Sequence, residues 1–291
     1  MSCPFCCKVR AFLDYHGISY DIVEVNPVLK QQMSWTKHYK KVPILLVKVP
    51  EGYIQMNDSS TIISTMASYL RDRANSISLV EVANFYPSID FKDEEGNLKR
   101  EVLNRYFLMY QNGTTIDDTT KETIVEERKW RKWVDNVFVH TLSPNVYRTR
   151  EEALEAFNWF SQVGEWEKHF TPLERKFVTY VGATAMWMIG KQIKKKYQLK
   201  DDVRESLYDG VNTWLKEVRS KKNLGDFHGG KDPDLADLAV YGVLNSIEGC
   251  QAFSDLNRVT RLAVWYEKVK QRLATPLRDN DDTSPVISIT P

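Results

Sequence analysis

The chain has 291 residues, 42% hydrophobic and 27% charged, which is enough apolar content for a globular core in one or two domains. Its 40 Lys and Arg offset 39 Asp and Glu to a formal charge of +1, so it lacks the basic excess that nucleic-acid binding by counterion release demands. Four cysteines, three of them among the first seven residues, exclude the disulfide framework of a small secreted domain and suit a reducing compartment.

From Cys3, the residues Phe5, Val9, Phe12, Leu13 and His16 fall on one helical stripe that Gly17 can end. Ser19 to Val25 alternates with period two and predicts a strand, stopped by Asn26-Pro27. Val28 to Tyr39 predicts a polar helix. Pro43 to Val49 reads as an apolar strand, Glu51-Gly52 as a turn, and Tyr53 to Met56 as a returning strand. Asp58-Ser59-Ser60 then opens an amphipathic helix carrying Ile62, Ile63, Met66, Tyr69 and Leu70. Residues 1–73 therefore predict a small α/β layer domain.

Residues 74–125 are mixed and read as a linker or insertion, with a helix expected from Glu101 to Tyr110. Beyond it, residues 126–275 predict an all-helical domain. Its helices are expected at Glu126 to Thr141, Leu173 to Tyr197, Val203 to Arg219, Leu235 to Glu248 and Arg258 to Leu273. Residues 276–291, rich in Pro and Asp, are expected to be a disordered tail. The apolar run from Phe177 to Gly190 is too short to span a bilayer, and no signal peptide is visible.

Cys3-Pro4-Phe5-Cys6 carries the sharpest chemistry. Pro4 suits the first helical position and puts Cys3 at the cap, where unpaired N–H groups and the helix dipole favour a thiolate nucleophile. Cys6, one turn on, is placed to resolve a mixed disulfide, and Cys7 adds a third thiol on that side. Three small core residues would give the same letters, and no second ligand pair with zinc spacing accompanies them. Val42-Pro43 before a strand is either a plain strand start or a cis bond that turns the Val42 backbone outward. Asp58 and Ser59 form an ordinary N-cap; the same physics would hold a carboxylate at the helix start and an ammonium on Asp58. His140 shares the apolar stripe of Trp133 and Val137 and reads as a packed histidine before a ligand-pocket one.

Together the capped thiol, the Val-Pro before a strand and the Asp-Ser helix start resemble the glutathione site of glutaredoxins and glutathione transferases. Asp234 and Asp237, in the run Lys231 to Tyr241, resemble the capping box of the transferases' helical half. CPFC with KVRAFLD, VEVNPV, Lys41 to Leu45, Asn57 to Ser60, Trp130-Arg131-x-Trp133, Ser143 to Thr149 (SPNVYRT) and Pro233 to Gly242 together resemble the membrane-associated prostaglandin E synthases of that superfamily. The likeness runs from Cys3 to about Lys270. It implies a thioredoxin-like α/β domain whose first strand is missing here, followed by an all-α transferase-like domain. It also implies a homodimer that binds glutathione and isomerises prostaglandin H2, or a similar lipid endoperoxide, to prostaglandin E2. The family's glutathione form can hold haem, with the glutathione thiolate on iron, and then breaks prostaglandin H2 down.

Carried over by the resemblance, Cys3 is the catalytic thiol, with Cys6 beside it and Phe5 lining the pocket. Val42, Pro43, Asp58 and Ser59 hold glutathione, and His140 and Ser143 face it from the helical side. Two departures stand out: Gln192 and Lys196 occupy places where arginines near haem carboxylates are expected, and the tyrosine of the strand before Cys3 has no counterpart. Met1 and Ser2 are too few to cross a sheet at about 3.3 Å per residue. The expectation is an N-terminally truncated form with a weakened first domain, cytoplasmic as given. A longer form is expected to carry the segment that attaches it to Golgi or other intracellular membrane, or sends it to mitochondria. The rival functions are a glutaredoxin-type thiol–disulfide oxidoreductase and a non-enzymatic glutathione–haem binding protein.

Overall fold

The computed structural model describes residues 3–36, 39–71, 77–109, 118–221 and 223–275. Helix α1 (Pro4–Tyr15) starts at Cys3 with Pro4 in its first turn, as the sequence requires. Strands β1 (Ile44–Val49) and β2 (Gly52–Asn57) form an antiparallel hairpin in which Ile44 faces Asn57 and Val49 faces Gly52. Gly52 has φ +133°, a conformation that a side chain resists, and it closes the hairpin turn. Helix α2 (Ser59–Arg71) follows at once. Val9, Phe12 and Leu13 of α1 meet Ile62, Ile63 and Met66 of α2 over Leu45, Val47 and Met56 of the hairpin, giving one apolar core.

Two expectations in this half are corrected. Residues 19–25 belong to no ladder, because alternation fixes the faces of a strand and cannot supply its neighbour. Among the described residues, the helix expected from Val28 to Tyr39 is a single 3₁₀ turn, Gln31–Met33, with Met33 buried. Among the described residues β1 pairs with β2 alone. A groove of about 1000 Å³, open to solvent, runs between residues 20–25 and β1, lined by Tyr20, Ile22, Val23, Val25, Ile44 and Leu46.

The middle segment holds α3 (Leu79–Ala83), capped by a Ser78–Glu81 box, and a second hairpin, β3 (Ser88–Lys92) with β4 (Leu98–Val102). The helix expected from Glu101 to Tyr110 is absent, since its first residues complete β4. Helix α4 (Asp118–Trp133) passes through one π turn (Val134–Phe138) into α5 (Val139–Val146). Then come α6 (Arg150–Val163), α7 (Trp166–His169), α8 (Pro172–Lys196), α9 (Val203–Ser220), α10 (Leu235–Asn245), α11 (Gln251–Val259) and α12 (Leu262–Ala274). The sequence reading places no helix at α3, α6, α7 or α11. The fold is thus a thioredoxin-like α/β unit with small sheets and a helical second half. The tail expected at 276–291 lies outside the described residues, and no described helix is long and apolar enough to cross a membrane.

The two halves share their cores. Leu235 and Leu238 of α10 belong to the α/β core, while Ala11 of α1 belongs to the helical one, beside Trp130, Val134, Phe138 and Trp214. The Asp234–Asp237 capping box is present as expected. Asp237 accepts from the backbone N–H groups of His228 (3.1 Å), Gly229 (3.0 Å) and Asp234 (3.1 Å) and from Trp265 Nε1 (3.1 Å). Asp234 in turn accepts from Ala236 N, Asp237 N and His228 Nδ1. His228, Asp234 and Asp237 cluster as metal ligands could, but their oxygens are committed to capping.

Candidate functional site

Cys3 caps α1 with extended backbone (φ −71°, ψ 122°), and its carbonyl accepts the first helical bond from Cys7 N at 2.9 Å. Its thiol is half-buried and held down to about 7. The largest cause is the hydrogen bond from the Cys6 thiol, aided by the backbone N–H groups of Cys6 and Phe5 against the penalty of burial. The same bond drives Cys6 well above the ordinary thiol range, and burial pushes Cys7 up to about 12. Of three adjacent thiols, Cys3 is therefore the one ionised near neutrality, the condition for nucleophilic or proton-transfer work.

The peptide bond between Val42 and Pro43 is cis. Val42 and Pro43 line the same groove as Cys6, so the strand start lies beside the thiol helix. Asp58 sits at φ +69°, in the left-handed region that a non-glycine residue seldom occupies. Its Oδ1 accepts from Ser60 N (3.1 Å), Thr61 N (3.0 Å) and Thr61 Oγ1 (3.2 Å), so the N-cap predicted from the sequence is present. Ser59 is buried in the first turn of α2. Sequence reasoning missed two residues here. Arg105 Nε stands 3.7 Å from Asp58 Oδ1, adding a cation at the helix start. The half-buried Tyr39, close to both Asp58 and Cys6, has its phenol raised to about 12 by burial and then by the Asp58 charge. Neither is marked in one dimension, because each lies in an irregular segment that only the fold brings to α2.

On the helical side the residues separate. Phe5 packs against the helical core, with Lys8 Nζ 5.8 Å from its ring centroid. Tyr147, from the SPNVYRT run, has its phenol pushed up by burial, with smaller contributions from Cys250 and then Cys3. The Ser143 carbonyl accepts from Tyr147 N at 3.0 Å. His140, by contrast, stacks on Tyr197 at 3.8 Å between ring centroids and 13° between planes. Burial and Lys196 lower its pKa, and Lys196 Nζ itself lies 5.3 Å from the Tyr197 ring. With the His140 ring engaged by Tyr197 and no arginine at 192 or 196, these residues do not fit a haem. Glutathione fits better: the α2 start brings together Arg105, a cation for a carboxylate, and Asp58, a carboxylate for an ammonium.

The family model for the glutathione S-transferase N-terminal domain matches residues 1–74. Over 271 residues the chain is 43% identical to prostaglandin E synthase 2 of Danio rerio, covering 93% of this chain and 68% of the relative. Over 273 residues it is 41% identical to prostaglandin E synthase 2 of Mus musculus, covering 94% and 68% respectively.

Proposed function

The chain belongs to the prostaglandin E synthase 2 family, and from that premise we propose that it isomerises prostaglandin H2 to prostaglandin E2 with Cys3 as the catalytic thiol. Glutathione is the bound cofactor, held by Val42, Asp58 and Ser59. The observation that carries the reading is the position and acidity of Cys3: a capped thiol near 7 with Cys6 donating to it.

The isomerisation is redox-neutral. The C–H bond beside one endoperoxide oxygen breaks, its electron pair forms the ketone, and the weak O–O bond gives way. The proton from carbon passes to solvent, while the Cys3 S–H delivers a proton to the departing oxygen and is then reprotonated from water. A thiol whose pKa lies near ambient pH can both give and regain that proton. Bound glutathione supplies a second thiol to the site; Asp58 and the α2 start orient it, and Phe5 and Tyr147 contribute apolar wall. Homodimerisation belongs to this reading. What supports it is the apolar stripe of Leu173, Phe177, Tyr180, Val181 and Met188, exposed along α8.

The Cys6–Cys3 hydrogen bond also suits a second reading, glutaredoxin-type exchange, in which Cys3 attacks and Cys6 resolves. Turnover of prostaglandin H2 by Cys3→Ser and Cys6→Ser variants separates the two. Isomerisation through one thiol predicts loss in the first and retention in the second; equal loss in both favours the dithiol.

A further inference from the structure

Lys8 lies on α1 just past the thiol motif, 1% exposed, and its ammonium is inside the joint between the two halves. Nζ donates to Asp135 Oδ1 at 2.5 Å and to Ser60 Oγ at 3.0 Å. Ser60 Oγ passes its own hydrogen to Asp135 Oδ2 at 2.5 Å, and the Tyr106 hydroxyl donates to the same oxygen at 3.0 Å. One carboxylate from the helical half thus ties together the thiol helix, the first turn of α2 and the segment that carries Arg105. Arg131, one turn earlier, repeats the tie: it donates to the Ser60 carbonyl (3.2 Å), Ser64 Oγ (2.6 Å) and the Tyr106 carbonyl (3.4 Å).

A buried ion pair is a poor device for stability alone, since an apolar pair of similar size often serves as well or better. Here the carboxylate sits in the π turn between α4 and α5, where an extra residue shifts the helical register. Against the penalty of burial, the Lys8 ammonium and the hydrogen bonds from Lys8, Ser60 and Tyr106 hold Asp135 below the usual carboxylate range. Lys8, Asp135 and Arg131 all bond to Ser60, the residue next to Ser59. That convergence fixes where the α2 start stands relative to Cys3.

We propose that Asp135, through Lys8 and Ser60, is a positioning residue that sets the α2 start against the Cys3 thiol for glutathione. The inference rests on the glutathione reading above and assigns no contact between Asp135 and glutathione itself.

The test uses the full chain and reduced glutathione as the probe. Ser60→Ala removes the hydroxyl through which Lys8 and Asp135 reach α2, while leaving Lys8, Asp135 and Tyr106 paired and Arg131 on the Ser60 carbonyl and Ser64. The double variant Lys8→Met with Asp135→Leu replaces the ion pair by apolar side chains that keep the joint filled. Both are expected to melt within a few degrees of the wild type and to bind glutathione at least about five-fold more weakly by calorimetry. Melting near wild type with unchanged glutathione affinity in either variant makes the network purely structural and overturns the proposal. If the double variant fails to fold, Ser60→Ala decides alone. Wild-type protein that does not bind glutathione overturns the glutathione reading and this inference with it, whereas wild-type binding with unaltered variants sinks only this one.

Discussion

Cys6 gives its thiol hydrogen to Cys3, and the two sulfurs end on opposite sides of the ordinary thiol range, Cys3 near 7 and Cys6 well above it. Alkylation of Cys3 by iodoacetamide should therefore reach half its limiting rate near pH 7. Cys6→Ala should move that midpoint upward, toward the ordinary thiol value. Because Cys3 is proposed to act as the S–H form, prostaglandin H2 isomerisation should fall as pH rises through 7. Activity that climbs over the same window would make the thiolate the working species and favour the exchange reading.

Asp58 is assigned the ammonium end of glutathione, and a hydrogen bond to a charged group is worth about 1.5–3 kcal/mol. Asp58→Ala should weaken glutathione binding about ten-fold or more. It also removes an N-cap, so the melting temperature should drop modestly, by the equivalent of about 1 kcal/mol. Calorimetry showing full affinity in a folded variant would move the site elsewhere.

Asp237 answers four donors from three parts of the helical half: His228, Gly229 and Asp234 backbone N–H groups and the Trp265 indole. Asp237→Ala leaves the buried His228 N–H and Trp265 indole without an acceptor, at a cost of about 3 kcal/mol or more. Thermal melting should show this as one of the most damaging single substitutions outside the apolar core.

The open groove predicts uneven protection. Amides of Ile22 and Val23 should exchange with solvent far faster than those of Leu45 and Val47, which lie in the hairpin with β2. Equal, strong protection of both stretches would mean that the α/β half closes its sheet in solution.

Phe177→Glu on the exposed stripe of α8 should convert a dimer to a monomer by sedimentation while leaving the helical fold intact by circular dichroism. An unchanged sedimentation coefficient would place the dimer contact on another surface or remove it.

Much of this was legible from one-dimensional pattern wherever a residue's role is set by its own helix or hairpin. The Cys3 cap, the β1–β2 hairpin, the Asp58 cap and the Asp234–Asp237 box all declare themselves within a few residues. Other features do not. The β3–β4 hairpin is solvent-exposed along nearly its whole length and held partly by Asp90 with Arg100, so the period-two spacing of Ile89 and Phe91 marks no buried face. Helix α6 did offer a signal: Thr149 accepts from Glu152 N, and Ala153, Ala156, Phe157 and Phe160 share a buried stripe. That signal was hidden by treating Ser143 to Thr149 only as a motif. The partner of the His140 ring, Tyr197, lies 57 positions away. Lys8 and Asp135 look like surface residues in any periodic reading. Only the packing of α1 against the π turn makes them interior, and the expected thiol chemistry gave no reason to look for them.

Gly242 has a further consequence. A Cβ there would lie 2.5 Å from the Lys8 Cα and 2.8 Å from the Cys7 carbonyl carbon, so α10 touches the backbone of the thiol helix with nothing in between. No layer of side chains exists at that point to act as a lubricated seam. With Leu235 and Leu238 built into one core and Ala11 into the other, pulling the halves apart would open both at once. Heat and denaturant should then reveal one melting event rather than two. Severing the gene at the linker should yield fragments that are each left holding an open wound of apolar surface. The price of a precisely seated thiol is that it can be neither hinged nor borrowed as a separate module.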